Sequence, residues 1–302
     1  MRFIFFSIST FLILGFVVFG CSNNQKTSII ANGATLELVT DTFRFTEGPA
    51  SDRYGNVYFT DQPNDRILIW TMNGEISTFM NVAGRSNGLY FDNDGNLLAC
   101  ADEKNELWSI NINTGKHEIL VSDFDGYKLN GPNDLWIDSK GGVYFTDPYY
   151  KRDYWSDPTQ ELMQESVYYL LPDRSAVIVV DDDMVKPNGI IGTPDGKMLY
   201  VADIGDDKTY RYDINSNGTL SNRQLFCKLG SDGMTIDNQG NVYLTGDGVT
   251  VFNADGEKIE HIKIDEHWTA NVTFGGVDHN ILFITAMGSV YTLEMNVKGV
   301  RY

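Results

Sequence analysis

Cysteine is scarce in this chain, with three in 302 residues at positions 21, 100 and 227. No Cys-x-x-Cys pair occurs, which argues against a zinc–thiolate site. Cys100 and Cys227 lie in the apolar runs LLACAD and QLFCKL, where free buried thiols are expected. Basic residues are also short. Twenty-three Lys and Arg against 41 Asp and Glu leave a formal charge of −18, the opposite of what a nucleic-acid surface needs. Most of that charge reads as solvated exterior, compatible with a bound cation. The acidic stretch Asp92-Asn93-Asp94-Gly95 is no calcium loop, because its glycine falls at the fourth place and no glutamate completes it.

Long apolar runs are absent after the first twenty residues. There, Arg2 precedes the almost wholly apolar Phe3–Phe19, and Val18-Phe19-Gly20-Cys21 has the pattern of a bacterial lipobox. The plainer alternative is a secretory signal with an incidental cysteine. The expectation is a lipoprotein signal at 1–20, lipidation at Cys21, a flexible tether over 21–32 and one domain over 33–302. Such a protein is exported and sits in the cell envelope, touching the membrane only through its lipid anchor.

What the chain has instead is repetition. Asn133–Asp147 reads as an apolar run, a turn at Gly141-Gly142 and a second apolar run, a β-hairpin pattern. It recurs with turns at 55, 95, 141, 196, 240 and 280, and the second runs read VYFTD, LLACAD, VYFTD, MLYVAD, VYLTG and ILFITA. Strand-rich units at this period predict an all-β, six-bladed β-propeller of four-stranded blades. The tryptophan-aspartate and double-glycine signatures of WD and kelch arrays are missing. Ala34–Thr40 is a strand left over at the start and the last repeat is short of one, so the N-terminal strand is expected to close the sixth blade.

A polar residue opens each repeat, eight positions before the turn in five copies and nine in the sixth (271 to 280). If each first run is the innermost strand of its blade, Glu47, Asn87, Asn133, Asn188, Asp232 and Asn271 form a ring at one mouth of the central channel. Asn-Gly and Asp-Gly are also ordinary turn dipeptides, but each repeat already has its turn. Two carboxylates with amide oxygens, and neither sulfur nor imidazole, suit a hard divalent ion, calcium before magnesium. An insertion, Pro148–Glu165, lengthens the third repeat and should bring Tyr149, Tyr150, Lys151, Arg152 and Trp155 to the same mouth, as a lid or substrate wall. His267-Trp268 enters there too.

E-G-P at Glu47, N-G-P-N-D over 130–134, P-N-G at Asn188, S-D-G-M at Asp232 and A-N-V-T-F-G-G at Asn271 together resemble the senescence marker protein/gluconolactonase (regucalcin-like) family over residues 40–295. That resemblance implies hydrolysis of sugar lactones with a divalent metal, calcium or another such as Mg²⁺, Zn²⁺ or Mn²⁺; relatives act on organophosphates and aryl esters. It places the metal ligands at Glu47, Asn188 and Asp232, a further site asparagine at Asn133, and a general base or nucleophile at Asp232. Asn87, Asn271, Tyr149 and Arg152 complete the substrate-binding candidates. The chain departs from animal members at Gly131, where they carry a substrate-contacting arginine; Lys151 and Arg152 are candidates to replace it. The expected partner is a small lactone or ester, met by a monomer. The alternatives are a non-catalytic propeller that calcium stabilises and that binds a sugar or protein, and an esterase or phosphotriesterase using the same site.

Overall fold

The computed structural model describes Met1, Phe3, Ile4 and residues 28–300. The lipidation position Cys21 and nearly all of the signal lie outside the described residues.

Six four-stranded antiparallel sheets follow one another along the chain, over residues 46–81, 86–121, 135–184, 187–227, 234–262 and 269–294. The fold is therefore the six-bladed propeller expected. Glu37–Thr40 pairs with Ser289–Glu294 as the outer strand of the sixth blade, so the first and last strands described close one sheet. Residues 28–31, read above as tether, are bonded to that blade as well: Ile30 bridges Met295, and Asn296 donates its side-chain amide to the carbonyls of Ser28 and Ile30.

The blades pack through their second strands, which are buried on both faces, as in Val57–Asp61 and Val143–Asp147. That is why these runs are continuously apolar rather than alternating. Between blades, aromatic rings fill the wedge: Phe59 of the first meets Phe283 of the sixth, and Trp136, Tyr144 and Tyr169 form a row on the third blade that packs with Ile190 and Leu199 of the fourth. Four of the six inner hairpins turn on the same device. Asp52, Asp92, Asp138 and Asp237 each accept two backbone N–H groups across the turn. The left-handed residue three places later is Gly55, Gly95, Gly141 or Gly240. In the sixth blade that place belongs to His279, whose φ is 52°, and not to Asn280. The offset from Asn271 is then eight, as in the other five copies.

A channel of about 400 Å³ runs along the axis, walled by Leu89, Leu135, Ile190 and Met234. Gly48, Asp134 and Asn271 line one end and the turns at Asp52 and Asp92 the other, where Gly299 and Val300 also reach the lining.

Candidate active site

The ring residues sit where each innermost strand lets go of its neighbour. Pairing shifts register between Glu47 and Ala50, Ser86 and Leu89, Pro187 and Ile190, and Thr269 and Asn271. In the third and fifth blades it starts only at Leu135 and Met234, two residues after Asn133 and Asp232. Bulges of this kind re-aim side chains beside functional sites. The glycines after four ring residues are not turns. A Cβ on Gly48 would lie 2.0 Å from the Asn87 carbonyl oxygen, and one on Gly233 would lie 1.9 Å from the Asn271 side chain. Only glycine lets neighbouring innermost strands approach this closely.

The ring closes on itself. Gly88 donates its N–H to the Asn133 carbonyl at 2.8 Å. Asn188 Nδ2 donates to Asp232 Oδ1 at 3.0 Å, and Asn271 Nδ2 donates to Glu47 Oε2 at 3.3 Å. Trp268 Nε1 holds the other Asp232 oxygen at 2.6 Å. Glu47, Asn87, Asn133, Asn188 and Asn271 are all buried, and Asp232 is partly open to the mouth.

One member of the cluster was not singled out from the sequence. Asp134, next to Asn133, is buried and accepts the Leu135 N–H at 2.9 Å. Its presence in the N-G-P-N-D motif was the available signal. Burial, with the Asp232 charge adding to it, pushes its carboxyl up to about 8. Burial likewise raises Asp232 to about 6, against the lowering effect of the Trp268 and Asn188 hydrogen bonds. Glu47 is held well above the ordinary carboxylate range by burial first, then by the charges of Asp232 and Asp134. Three carboxyl groups are thus desolvated within electrostatic reach of one another, an arrangement that favours either a proton or a cation.

Among the described residues, no group of three or more His, Cys, Asp or Glu side chains could hold a metal ion. Any ion here needs the amides. Asn87 Oδ1 and Asn188 Oδ1 are buried with no hydrogen-bond partner, and native proteins rarely leave such atoms unmet. In Asn188 the nitrogen is fully engaged while the oxygen is orphaned, beside an acidic cluster. This donor set fits a hard divalent cation.

The insertion does reach this mouth, through a different tyrosine. Tyr149 turns away, its hydroxyl donating to the Pro158 carbonyl at 2.6 Å. Tyr150 takes the place instead, its hydroxyl accepting Asn188 Nδ2 at 3.1 Å. Burial and the Asp232 charge raise its phenol above the ordinary value. Arg152 lies over the Tyr150 ring, 5.4 Å from its centroid, and pairs with Asp102 at 2.8 Å. Lys151 is exposed. At Gly131 a Cβ would meet Asp102 Oδ1 at 2.8 Å and the Trp155 ring at 3.2 Å. The insertion and its anchor fill that space, which leaves no room for an arginine.

Residues 45–288 match the family model described as "SMP-30/Gluconolactonase/LRE-like region". The chain belongs to this family. A gluconolactonase of Zymomonas mobilis is 26% identical over 301 residues, covering 90% of this chain and 84% of that protein. A diisopropyl-fluorophosphatase of Loligo vulgaris is 26% identical, covering 72% and 78%. A gluconolactonase structure from Xanthomonas campestris superposes with a TM-score of 0.83 at 28% identity, covering 88% of this chain and 91% of that one.

Proposed function

We propose that the protein is a divalent-metal-dependent hydrolase of sugar lactones. Asn188 carries this reading. Its amide nitrogen orients Asp232 and its amide oxygen is left buried and unmet among carboxylates. Membership of the family and the gluconolactonase relatives support the substrate class.

Glu47, Asn188 and Asp232 would hold the ion, with Asn87 and Asn133 beside them in the ring. Calcium is the first choice, because it accepts neutral amide oxygens in loose geometry. Bound there, it would polarise the substrate carbonyl. Asp232, with both oxygens fixed by Asn188 and Trp268, acts as the base. It takes a proton from water as the water oxygen adds to the lactone carbonyl carbon and the carbonyl electron pair moves to oxygen. Collapse re-forms the carbonyl and breaks the ring C–O bond. The departing ring oxygen takes the proton back from Asp232, giving the open hydroxy acid.

The test is hydrolysis of gluconolactone-type substrates by purified protein with and without chelator. Turnover that chelator abolishes and added divalent ion restores is expected; absence of turnover on any lactone overturns the reading. The fluorophosphatase relative makes organophosphate esters the second substrate class for the same screen. We also propose export and lipid anchoring through Cys21, supported by the lipobox pattern.

A further inference from the structure

Asp102 departs from what its counterparts do. In the first, third and fourth blades the aspartate ending the second strand staples the chain entering its own blade by accepting two backbone N–H groups. Asp61 takes those of Arg44 and Phe45, Asp147 those of Asn130 and Gly131, and Asp203 those of Val185 and Lys186. In the second blade the equivalent Arg85 N–H goes to Asp65 of the first blade at 2.7 Å. Asp102 is released from that duty, yet remains buried. Its carboxylate takes Arg152 Nε at 2.8 Å, Tyr154 Oη at 2.5 Å and Gln62 Nε2 at 3.2 Å, and its carbonyl takes Trp155 Nε1 at 2.6 Å. Three residues of the insertion are thus tied to one aspartate.

Tyr150 stands two residues before this latch. Its ring is flanked by the Lys186 ammonium, 4.6 Å from the centroid, and by the Arg152 guanidinium. Its hydroxyl oxygen is accepting from the same Asn188 nitrogen that orients Asp232. A phenol that accepts there still has its own proton to donate, and no acceptor for it stands among the hydrogen bonds of the described residues. The free donor lies where Asn188 and Asp232 meet.

We infer that Tyr150 donates a hydrogen bond to the lactone carbonyl oxygen as that oxygen gains charge, and that Asp102 is the positioning residue holding Tyr150 in place. The proton is not transferred; the bond strengthens as the carbonyl pair moves to oxygen and weakens when the ring C–O bond breaks. This rests on the lactonase reading and adds to it a group supplied by the insertion.

The experiment is steady-state lactone hydrolysis by wild type, Tyr150→Phe, Asp102→Asn and the double variant, all metal-loaded. Losing one donor to a developing oxyanion typically lowers kcat about 100-fold, so Tyr150→Phe should fall by roughly that factor with KM nearly unchanged. Asp102→Asn should lower kcat in the same direction, and the double variant should be no slower than Tyr150→Phe, because Asp102 acts through Tyr150. Should Asp102→Asn not fold, Tyr154→Phe cuts one of the same ties without disturbing a buried charge and takes its place in the cycle. Wild-type kcat in Tyr150→Phe overturns the inference and leaves the lactonase reading standing. Losses that multiply in the double variant overturn the latch. No lactone turnover by wild type overturns both readings together.

Discussion

Asp134 allows a stability test that needs no substrate. Its carboxyl is buried and shifted from 3.8 to about 8. Between those values the folded, metal-free protein holds a proton that the unfolded chain has released. Stability contributed by that proton is present at the acid end and is lost as pH rises through the folded pKa. Each unit of pH in the window is worth about 1.4 kcal/mol, so raising pH from about 5 to about 8 should cost roughly 3–4 kcal/mol from this group alone. Asp232, raised to about 6, and Asp147, raised to about 7 by burial, act with the same sign. Urea denaturation in chelator should therefore show wild type losing stability from pH 5 to 8. Asp134→Asn keeps an oxygen for the Leu135 N–H but has no proton to lose, so its decline should be shallower by about the same 3–4 kcal/mol. Added calcium should reverse the wild-type trend, since a cation binds the ionised carboxylates. Superimposable pH profiles for wild type and Asp134→Asn, or wild type gaining stability with pH in chelator, would show that Asp134 is not protonated in the folded, metal-free protein.

Further expectations concern catalysis, the core and localisation. Asp232→Asn should lower kcat on lactones by about 10²–10⁴-fold, the range for losing a positioned base, without lowering the melting temperature at pH 8; unchanged turnover would remove Asp232 from the chemistry. Phe59→Ala, at a fully buried site between the first and sixth blades, should cost about 3–5 kcal/mol by urea denaturation; a loss under 1 kcal/mol would mean the blade interface relaxes to fill the gap. Cys21→Ser should move the protein from the membrane to the soluble fraction of the envelope; an unchanged distribution would show that anchoring does not use that residue.

Much of this site was legible because its residues are phase-locked to a turn that leaves a clear mark. Glu47, Asn87, Asn133, Asn188 and Asp232 could be lined up on a left-handed glycine or its hairpin. The sixth copy slipped by one because His279 takes the left-handed place, which few non-glycine residues adopt. Alternation locates side chains in strands but says nothing inside an irregular loop, so the choice between Tyr149 and Tyr150 was not available from sequence. The glycines after the ring residues looked like turn formers because the reason for them, the backbone of the next blade, is distant in the chain. Asp102 was equally hidden. Four aspartates end second strands at equivalent places, and only contacts between blades reveal that one has lost its backbone partners and taken the insertion.

On this reading, acid and amide oxygens from separate blades grip one cation at the ring. The decisive measurement is a crystal structure of the calcium-loaded protein. One ion is expected, with oxygens of Glu47, Asn188 and Asp232 at about 2.3–2.6 Å. An ion bound elsewhere, or a ring at pH 8 and saturating calcium that holds none, would contradict it.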